Sequence, residues 1–213
     1  MTSEKIMARV QLSTFNNDSY HPGRSLLWQL GWFVLGLPLL RSGWIPFSGL
    51  RVRLLRAFGA SIGAGAVIKP GVRVKYPWRL TIGSHCWIGE DCWIDNIADV
   101  RLGNDVCLSQ ASYLCTGNHD WSDPAFRLIE QAISIGDGAW IGARAVVCPG
   151  VAIGENAVVA AGSIANRAVP ANEIHAGNPA RFIRERKLRQ PGGRARYPAA
   201  EMKESEIACE SYS

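Results

Sequence analysis

The 213-residue sequence has no paired cysteine motif, although it contains six cysteines. None of them belongs to a Cys-x-x-Cys pair, and five lie among apolar residues, where a thiol packs as a small hydrophobic group. The polar residues 1–20 also lack the apolar core of a secretory leader. These absences argue against a disulfide framework, and they predict free thiols in a reducing cytoplasm.

Charge is sparse, at 19% of residues, and the formal net charge is only +5. A weakly basic chain favours anionic partners without naming one. The sequence contains no zinc-finger spacing, no Gly-rich RNA-binding segment and no helix-turn-helix pattern. A nucleic-acid partner is therefore not expected.

Long hydrophobic runs are also absent, with one near exception. Residues 25–40, SLLWQLGWFVLGLPLL, form an apolar run of 16 residues. A spanning helix needs about 20 apolar residues, and this shorter run is interrupted by Gln29, Gly31, Gly36 and Pro38. The run predicts a buried or interfacial helix rather than a membrane span.

A six-residue period organises the middle of the chain. Aliphatic residues recur at this spacing in four series: Ile62, Ile68 and Val74; Ile82, Ile88 and Ile94; Leu102, Leu108 and Leu114; Ile135, Ile141, Val147, Ile153 and Val159. The first three series restart every 20 residues, and glycine often follows the aliphatic residue. This period matches neither an α-helix nor a heptad coiled coil.

The period predicts an all-β fold, a parallel β-helix. Each hexad supplies one short strand, three strands close a triangular coil of about 18 residues, and the aliphatic side chains stack inside. Restarts after 20 residues imply two extra residues at one corner of these coils. An ordinary β-sandwich rich in Ile-Gly pairs would not account for so many positions in register.

The segments on either side of the repeat differ from it in composition. Residues 1–60 are interpreted as a polar arm followed by an apolar and basic helical cap, with a basic amphipathic helix at 48–58. This cap fits a cover over the first coil, which would otherwise expose edge strands, and also a peripheral contact with an anionic membrane. The cover is the preferred interpretation, and the two roles are compatible. Residues 61–177 are assigned to the β-helix, and 178–213 to a short basic C-terminal helix and a disordered tail.

The period is lost between Leu114 and Ile135. From Leu102 to Ile135 there are 33 residues where three hexads need 18, so about 15 residues leave the coil as a loop, assigned to 116–132. Loops on a rigid scaffold often carry function, and His119 lies in this one. A histidine is the usual general base near neutral pH, because its intrinsic pKa is about 6.5. The other histidines are interpreted as structural or exposed: His21, His85 and His175.

Several stretches together carry a family resemblance. The repeat, the Asn-His-Asp sequence at 118–120, the run IGDGAWIGARAVVCPGVAIGENAVVAAGSIANRAV from Ile135 and the closing AGNPARFIRERK from Ala176 resemble the hexapeptide-repeat O-acetyltransferases. Within that group the chain looks like the colanic acid biosynthesis acetyltransferases. The resemblance implies a left-handed parallel β-helix. It also implies transfer of acetyl from acetyl-CoA, without a metal, to a hydroxyl of a sugar or polysaccharide precursor in exopolysaccharide biosynthesis.

The same resemblance implies roles for individual residues. His119 matches the catalytic histidine, which takes the proton of the attacking hydroxyl. The backbone N–H of Ala143 matches the oxyanion donor, at a position where many relatives carry serine. Asp95 and Asn96 occupy a rung where relatives contact the sugar acceptor. The positions that match the acetyl-CoA site are Trp140, Ala161, Asn166, Arg167 and Arg181.

Two other functions are compatible with a β-helix. A non-catalytic scaffold would need neither the His119 loop nor the ending at 176–187. A γ-class carbonic anhydrase would need three histidines on zinc, two of them five residues apart, and the residue five after His119 is Pro124. The family further implies a homotrimer and a sugar or glycan acceptor. The free thiols and the missing leader predict a cytoplasmic location, and the apolar and basic residues 22–60 are also compatible with a peripheral contact at the inner face of the membrane.

Overall fold

The computed structural model describes residues 9–189. Residues 1–8 and 190–213, which include the predicted disordered tail and Cys209, lie outside the described range. The helical elements are a 3-10 turn (Leu12–Thr14), α1 (Leu26–Gly31), a π-helical turn (Trp32–Gly36), α2 (Leu37–Arg41), α3 (Ser48–Ala57) and a second 3-10 turn (Pro77–Arg79).

Short strands make up most of the remaining described chain. The first ten are β1 (Ser61–Ile62), β2 (Val67–Ile68), β3 (Arg73–Val74), β4 (Leu80–Ile82), β5 (Trp87–Ile88), β6 (Trp93–Asp95), β7 (Val100–Leu102), β8 (Cys107–Leu108), β9 (Tyr113–Cys115) and β10 (Gly117–His119). The others are β11 (Leu128–Glu130), β12 (Ile133–Ile135), β13 (Trp140–Ile141), β14 (Val146–Val147), β15 (Ala152–Ile153), β16 (Val158–Val159), β17 (Ile164–Ala165), β18 (Glu173–Gly177) and β19 (Ala180–Glu185).

Three sheets form the faces of a triangular prism. Face A has the order β1-β4-β7-β12-β15, face B the order β2-β5-β8-β13-β16-β18-β19, and face C the order β3-β6-β9-β14-β17. Successive coils pair in parallel and in register, as Ile62 does with Ile82 and Ile135 with Ile153. The predicted parallel β-helix is confirmed.

The aliphatic series fills the interior of the prism. On face B, Ile68, Ile88, Leu108, Ile141 and Val159 are each at most 1% exposed. Between face B and face C the chain turns tightly, and the turn residue with positive φ is in successive coils Gly71, Asp91, Ala111, Arg144 and Gly162. Three of these five residues are Gly or Asp, which tolerate this conformation best, whereas Ala111 and Arg144 adopt it without that advantage.

The helical cap covers the open edge of the first coil. The hydroxyl of Ser48 accepts a hydrogen bond from the backbone N–H of Ile68 at 2.7 Å, and the carbonyl of Arg41 accepts one from Gly71 at 3.1 Å. The indole N–H of Trp32 donates to the carbonyl of Val74 at 3.1 Å. These bonds give partners to backbone groups of the first coil, which has no preceding coil to pair with.

Two residues hold the cap together. Arg51 is buried, and its guanidinium donates to the carbonyls of Leu40 at 3.2 Å and Ser42 at 2.8 Å, as well as to that of Ile45. Gly36 lies against the Trp32 ring, where an added Cβ would come within 2.2 Å of a ring carbon. The glycine that interrupts the apolar run therefore allows the close packing of this helix on its own tryptophan.

The N-terminal polar arm lies on the prism over its described part, from residue 9 onward. The backbone N–H of Gln11 donates to the carbonyl of Pro124 at 2.7 Å. The hydroxyl of Tyr20 donates to the carbonyl of Ile97 at 2.9 Å. These bonds are long-range in sequence, and nothing in the local composition of the arm predicts them.

The predicted C-terminal helix is wrong. Residues 180–185 form β19, which pairs antiparallel with β18 and extends face B. The Arg, Glu and Lys residues of this segment favour a helix locally, but the edge of β18 offers a row of unpaired backbone groups. Pairing with that edge satisfies both strands, so tertiary hydrogen bonding overrides the local preference.

Candidate active site

The loop that breaks the repeat forms a β-hairpin and places His119 at its outer end. β10 and β11 pair antiparallel, with Gly117 opposite Glu130 and His119 opposite Leu128. Since β10 follows β9 of face C and β11 precedes β12 of face A, the hairpin projects from the corner between these two faces. His119 is partly exposed there, anchored to a rigid coil.

One hydrogen bond fixes the tautomer of His119. Its Nδ1 lies 2.8 Å from the carbonyl oxygen of Phe126. A carbonyl can only accept, so Nδ1 carries the proton and Nε2 keeps the lone pair of a base. The Phe126 ring stacks on the imidazole with centroids 4.3 Å apart and planes inclined by 8°. Phe126 has a φ of 52°, a conformation that is rare for a bulky residue. This strained conformation directs the Phe126 carbonyl towards the histidine.

A second aromatic residue reaches His119 from the N-terminal arm. The ring of Phe15 meets the imidazole edge-on with centroids 5.7 Å apart. The imidazole therefore contacts Phe15 as well as Phe126. Sequence patterns do not indicate this contact, because Phe15 lies 104 positions upstream of His119.

Two carboxylates form hydrogen bonds and an ion pair within the rest of the loop. Asp120 accepts hydrogen bonds from the hydroxyl of Ser122 and from its backbone N–H, and these bonds lower the pKa of Asp120. Asp123 pairs with Arg127, which likewise lowers the pKa of the Asp123 carboxyl. Both carboxylates are thus held ionised as acceptors in the turn that carries Phe126.

Ala143, Ala161 and Trp140 cluster at a different corner, between faces B and C. The carbonyl of Ala143 accepts from Gly162 at 2.8 Å, while its N–H donates to no atom within residues 9–189. On face B beside it, Trp140 is 46% exposed, and its indole N–H donates to the hydroxyl of Ser109 at 2.8 Å. This corner therefore presents a free backbone donor beside an anchored aromatic ring.

The other residues matched to the acetyl-CoA site are divided between the two places. Asn166 and Arg167 are exposed directly after β17, at the same corner of the prism as the His119 hairpin. Arg181 is exposed on β19 at the edge of face B. One copy of the chain does not bring His119 and the Ala143 N–H together, because they lie at different corners of the prism.

Asp95 lies on the outer side of face C. Its carboxylate is 3.1 Å from the Lys75 ammonium and accepts from the Tyr113 hydroxyl at 3.4 Å. Burial is the largest cause that raises the pKa of Tyr113, so the phenol keeps its proton and remains a donor. The carboxylate is only partly buried and is held by these two partners.

An aromatic stack adjoins Asp95 on face C. Trp93 and Tyr113 occupy paired positions on β6 and β9, and their rings stack with centroids 4.5 Å apart at 17°. The Arg73 guanidinium lies 4.5 Å from the centre of the Trp93 ring. This stack was not predicted from the sequence, although the 20-residue restart places Arg73, Trp93 and Tyr113 at equivalent positions of three coils.

Asn96 does not fit the acceptor-contacting role implied for it. The residue is fully buried. Its side chain accepts from the backbone N–H of Tyr76 at 3.0 Å and donates to the carbonyl of the same residue at 2.7 Å. Both ends of the amide are used inside the corner, so Asn96 joins two coils.

The four histidines lie apart from one another. His175, interpreted as exposed, is instead largely covered on β18, with Nε2 2.7 Å from the Glu173 carboxylate. His85 is exposed at a corner turn with a φ of 58°. Within the described residues, no group of three or more His, Cys, Asp or Glu side chains is arranged to hold a metal ion.

Comparison with known families and proteins points to one group. Residues 132–166 match the family model described as bacterial transferase hexapeptide (six repeats). The chain is 40% identical over 169 residues to the "Putative colanic acid biosynthesis acetyltransferase WcaF" of Escherichia coli K12, a match covering 78% of this chain and 91% of that protein. It is 32% identical to the galactoside O-acetyltransferase of the same organism, over 63% of this chain and 68% of the relative.

Solved structures give the same result. A hexapeptide-repeat acetyltransferase of Vibrio cholerae, crystallised with acetyl-CoA, superposes with a TM-score of 0.69 at 26% identity. The match covers 76% of this chain and 88% of that protein. The similarity thus extends over the prism and much of the sequence that flanks it.

Proposed function

The chain belongs to the hexapeptide-repeat acetyltransferases, and we propose that it moves an acetyl group from acetyl-CoA to a hydroxyl of a sugar or polysaccharide precursor. The observation that carries the catalytic assignment is the bond from His119 Nδ1 to the Phe126 carbonyl at 2.8 Å, which leaves Nε2 as a base at the outer end of the hairpin. The relatives support the substrates, since they include a galactoside O-acetyltransferase and a hexapeptide-repeat acetyltransferase crystallised with acetyl-CoA.

The reaction is a direct transfer. Nε2 of His119 takes the proton of the sugar hydroxyl while the oxygen forms a bond to the acetyl carbonyl carbon. The negative charge that develops on the carbonyl oxygen is held by the Ala143 N–H, the donor left without a partner in the corner turn. The C–S bond then breaks, and the CoA thiolate receives the proton from His119. The products are an acetyl ester and CoA.

The positions of the two groups favour a site made by two copies of the chain. His119, Asn166 and Arg167 lie at one corner of the prism, whereas Ala143, Ala161 and Trp140 lie at or beside another. A closed cyclic trimer would bring the first corner of each copy to the second corner of its neighbour, and cyclic closure is the usual outcome for soluble oligomers. We therefore include the homotrimer in the proposal.

Acceptor contacts are assigned to Asp95. Its partners Lys75 and Tyr113 hold the carboxylate on the outer side of face C, on the strand row from which the hairpin departs. A cytoplasmic location remains part of the proposal, in line with the free thiols of Cys86, Cys92, Cys107, Cys115 and Cys148.

The experiment that tests the function measures CoA release from acetyl-CoA by a thiol-reactive dye, against a panel of free sugars, nucleotide sugars and glycans. We expect release that depends on one acceptor class, with an acetyl ester identified on the acceptor by mass spectrometry. Acetyl-CoA turnover with no acceptor dependence would indicate thioester hydrolysis in place of transfer. Binding of neither substrate would favour the non-catalytic scaffold.

A further inference from the structure

The helical cap has an outer surface unlike that of an ordinary surface helix. α1, the π-helical turn and α2 run continuously from Leu26 to Arg41, and the side packed on the prism includes the buried residues Trp32, Gly36 and Leu40. Side chains turned away from the prism are also apolar: Leu26, Leu27, Leu30, Val34, Leu35 and Leu39, each between 48% and 81% exposed. A helix on a water-facing surface normally carries polar residues there.

The loop between α2 and α3 adds large aromatic residues to this surface. Trp44 is 96% exposed and Phe47 is 69% exposed. Indole rings are enriched at the boundary between lipid headgroups and acyl chains, where one end of the ring is apolar and the other is wet. Together with the apolar side chains of the preceding helix, these residues form what is called here the cap face.

The chain segment that forms the cap face and the first coil carries basic residues and no acidic ones. Residues 19–89 contain nine Lys and Arg residues and no Asp or Glu. Three of these arginines bind backbone carbonyls within the fold: Arg51, Arg56 and Arg79. Arg24, Arg41 and Arg53 are exposed, and none of them pairs with a carboxylate among residues 9–189. An apolar surface flanked by cations without carboxylate partners complements an anionic, amphipathic surface.

The length of the helix limits how it can meet such a surface. Its 16 residues span about 24 Å, less than the roughly 30 Å hydrocarbon thickness of a bilayer. Within residues 9–189 no helix has the length and hydropathy required to span a membrane. With one side packed on the prism, the helix can only lie along a membrane.

We propose that the cap face docks the protein on an anionic lipid bilayer. The apolar side chains enter the boundary between headgroups and acyl chains, and Arg24, Arg41 and Arg53 lie against lipid phosphates. This inference goes beyond acetyl transfer, since it requires neither the hairpin nor acetyl-CoA. In a cyclic trimer, three cap faces would lie at the same end of the assembly, and their binding would reinforce one another.

A second copy of the chain is a poorer occupant of the cap face. Isologous contact through this face would bring the exposed arginines of two copies together, and juxtaposed like charges oppose association. An anionic membrane meets both the apolar and the basic part of the surface. The charge pattern therefore favours lipid over self-association.

Flotation of the full-length protein with vesicles tests the proposal. We expect it to float with vesicles of phosphatidylcholine and phosphatidylglycerol at low salt, less with phosphatidylcholine alone, and less again at high salt. L27S/L35S should lower the vesicle-bound to free ratio by about tenfold or more, because it removes two exposed leucines from the apolar contact. R24Q/R41Q/R53Q should remove the preference for the anionic lipid.

Matched controls carry the same changes at the other end of the prism. I183S/L188S removes two exposed apolar side chains there, and R184Q/K187Q removes two exposed cations. Both controls should float like the wild type. Wild-type protein that stays at the bottom of the gradient with anionic vesicles at low salt would overturn the proposal. So would sedimentation equilibrium in which L27S/L35S lowers the mass of the assembly, because a second copy would then cover the cap face. Activity on a soluble acceptor in the same preparations separates failure of docking from failure of the proposed function.

Discussion

The imidazole of His119 is held by main-chain geometry on one side and by aromatic rings on the others. The Phe126 carbonyl sets the tautomer, and the Phe126 and Phe15 rings confine the orientation of the imidazole. Sequence reasoning found the histidine because it lies where the period breaks. It could not find its partners, because a carbonyl has no signature in the sequence and Phe15 reaches the loop only through the folded arm.

Replacing His119 should remove the general base without unfolding the protein. H119A should lower turnover by roughly 10²–10⁴-fold, the usual contribution of general acid–base catalysis. The limb of the pH–rate profile that reports protonation of the base should disappear, while binding of acetyl-CoA in calorimetry stays close to wild type. The control is H85N, which changes an exposed histidine at a corner turn and replaces it with a residue that tolerates positive φ. Near-wild-type turnover of H119A would show that the base lies elsewhere.

Phe15 is expected to act as a positioning residue. F15A removes one edge-to-face contact with the imidazole, and such contacts are worth enough to change a rate by about two- to tenfold. We expect kcat to fall by that factor while KM for acetyl-CoA and the melting temperature change little, because Phe15 is 37% exposed. L12A alters an exposed residue of the same arm and should leave kcat unchanged. A fall in KM for acetyl-CoA or in the melting temperature alone, with kcat unchanged, would contradict the positioning role of Phe15.

At the scale of elements, the strands were more predictable than the ends of the chain. A six-residue period specifies both the strand and the direction of its side chains, so the inward positions are visible in the sequence. The last strand, β19, forms only because β18 leaves an edge open, and local propensity points to a helix there. Asn96 shows the same limit at a corner, since a buried amide that joins two coils looks in the sequence like any turn asparagine.

The stability of the cap should depend on a single buried arginine. Arg51 donates to the carbonyls that end α2 and open the following loop, and R51L would leave these acceptors buried without a donor. We expect a loss of about 2–4 kcal/mol in the free energy of unfolding, measured by urea denaturation. The neighbouring R53L changes the same residue type on the exposed side of α3 and should cost less than about 0.5 kcal/mol. Equal stability of the two variants would show that the carbonyls find other partners.

At the scale of the whole molecule, charge is distributed unevenly along the prism. All acidic residues between 19 and 213 follow position 89, so the capped end is basic and the rest carries the balancing charge. The hairpin and the free N–H of Ala143 lie at different corners farther along the prism. If the docking proposal and the catalytic proposal are both correct, a trimer would face the membrane at one end and form its active sites along its sides.

Shared sites can be tested by mixing two inactive variants. A143P removes the proposed oxyanion donor, and the fold accepts proline at this position of the corner, because Pro70 occupies the equivalent turn position in the first coil. A143S keeps the N–H and should remain active. H119A and A143P, each alone, should be nearly inactive.

The two variants are co-expressed with different tags, and mixed trimers are purified through both tags. These mixed trimers should recover activity. In any mixed cyclic trimer, one interface pairs the intact His119 of an A143P copy with the intact N–H of an H119A copy. Each mixed trimer should therefore show about a third of the wild-type rate. Light scattering should give three times the 23.2 kDa chain mass for every variant. Trimers that form but stay inactive after mixing would place His119 and the oxyanion donor of each site in the same chain, and a monomer with full activity would rule out the shared site altogether.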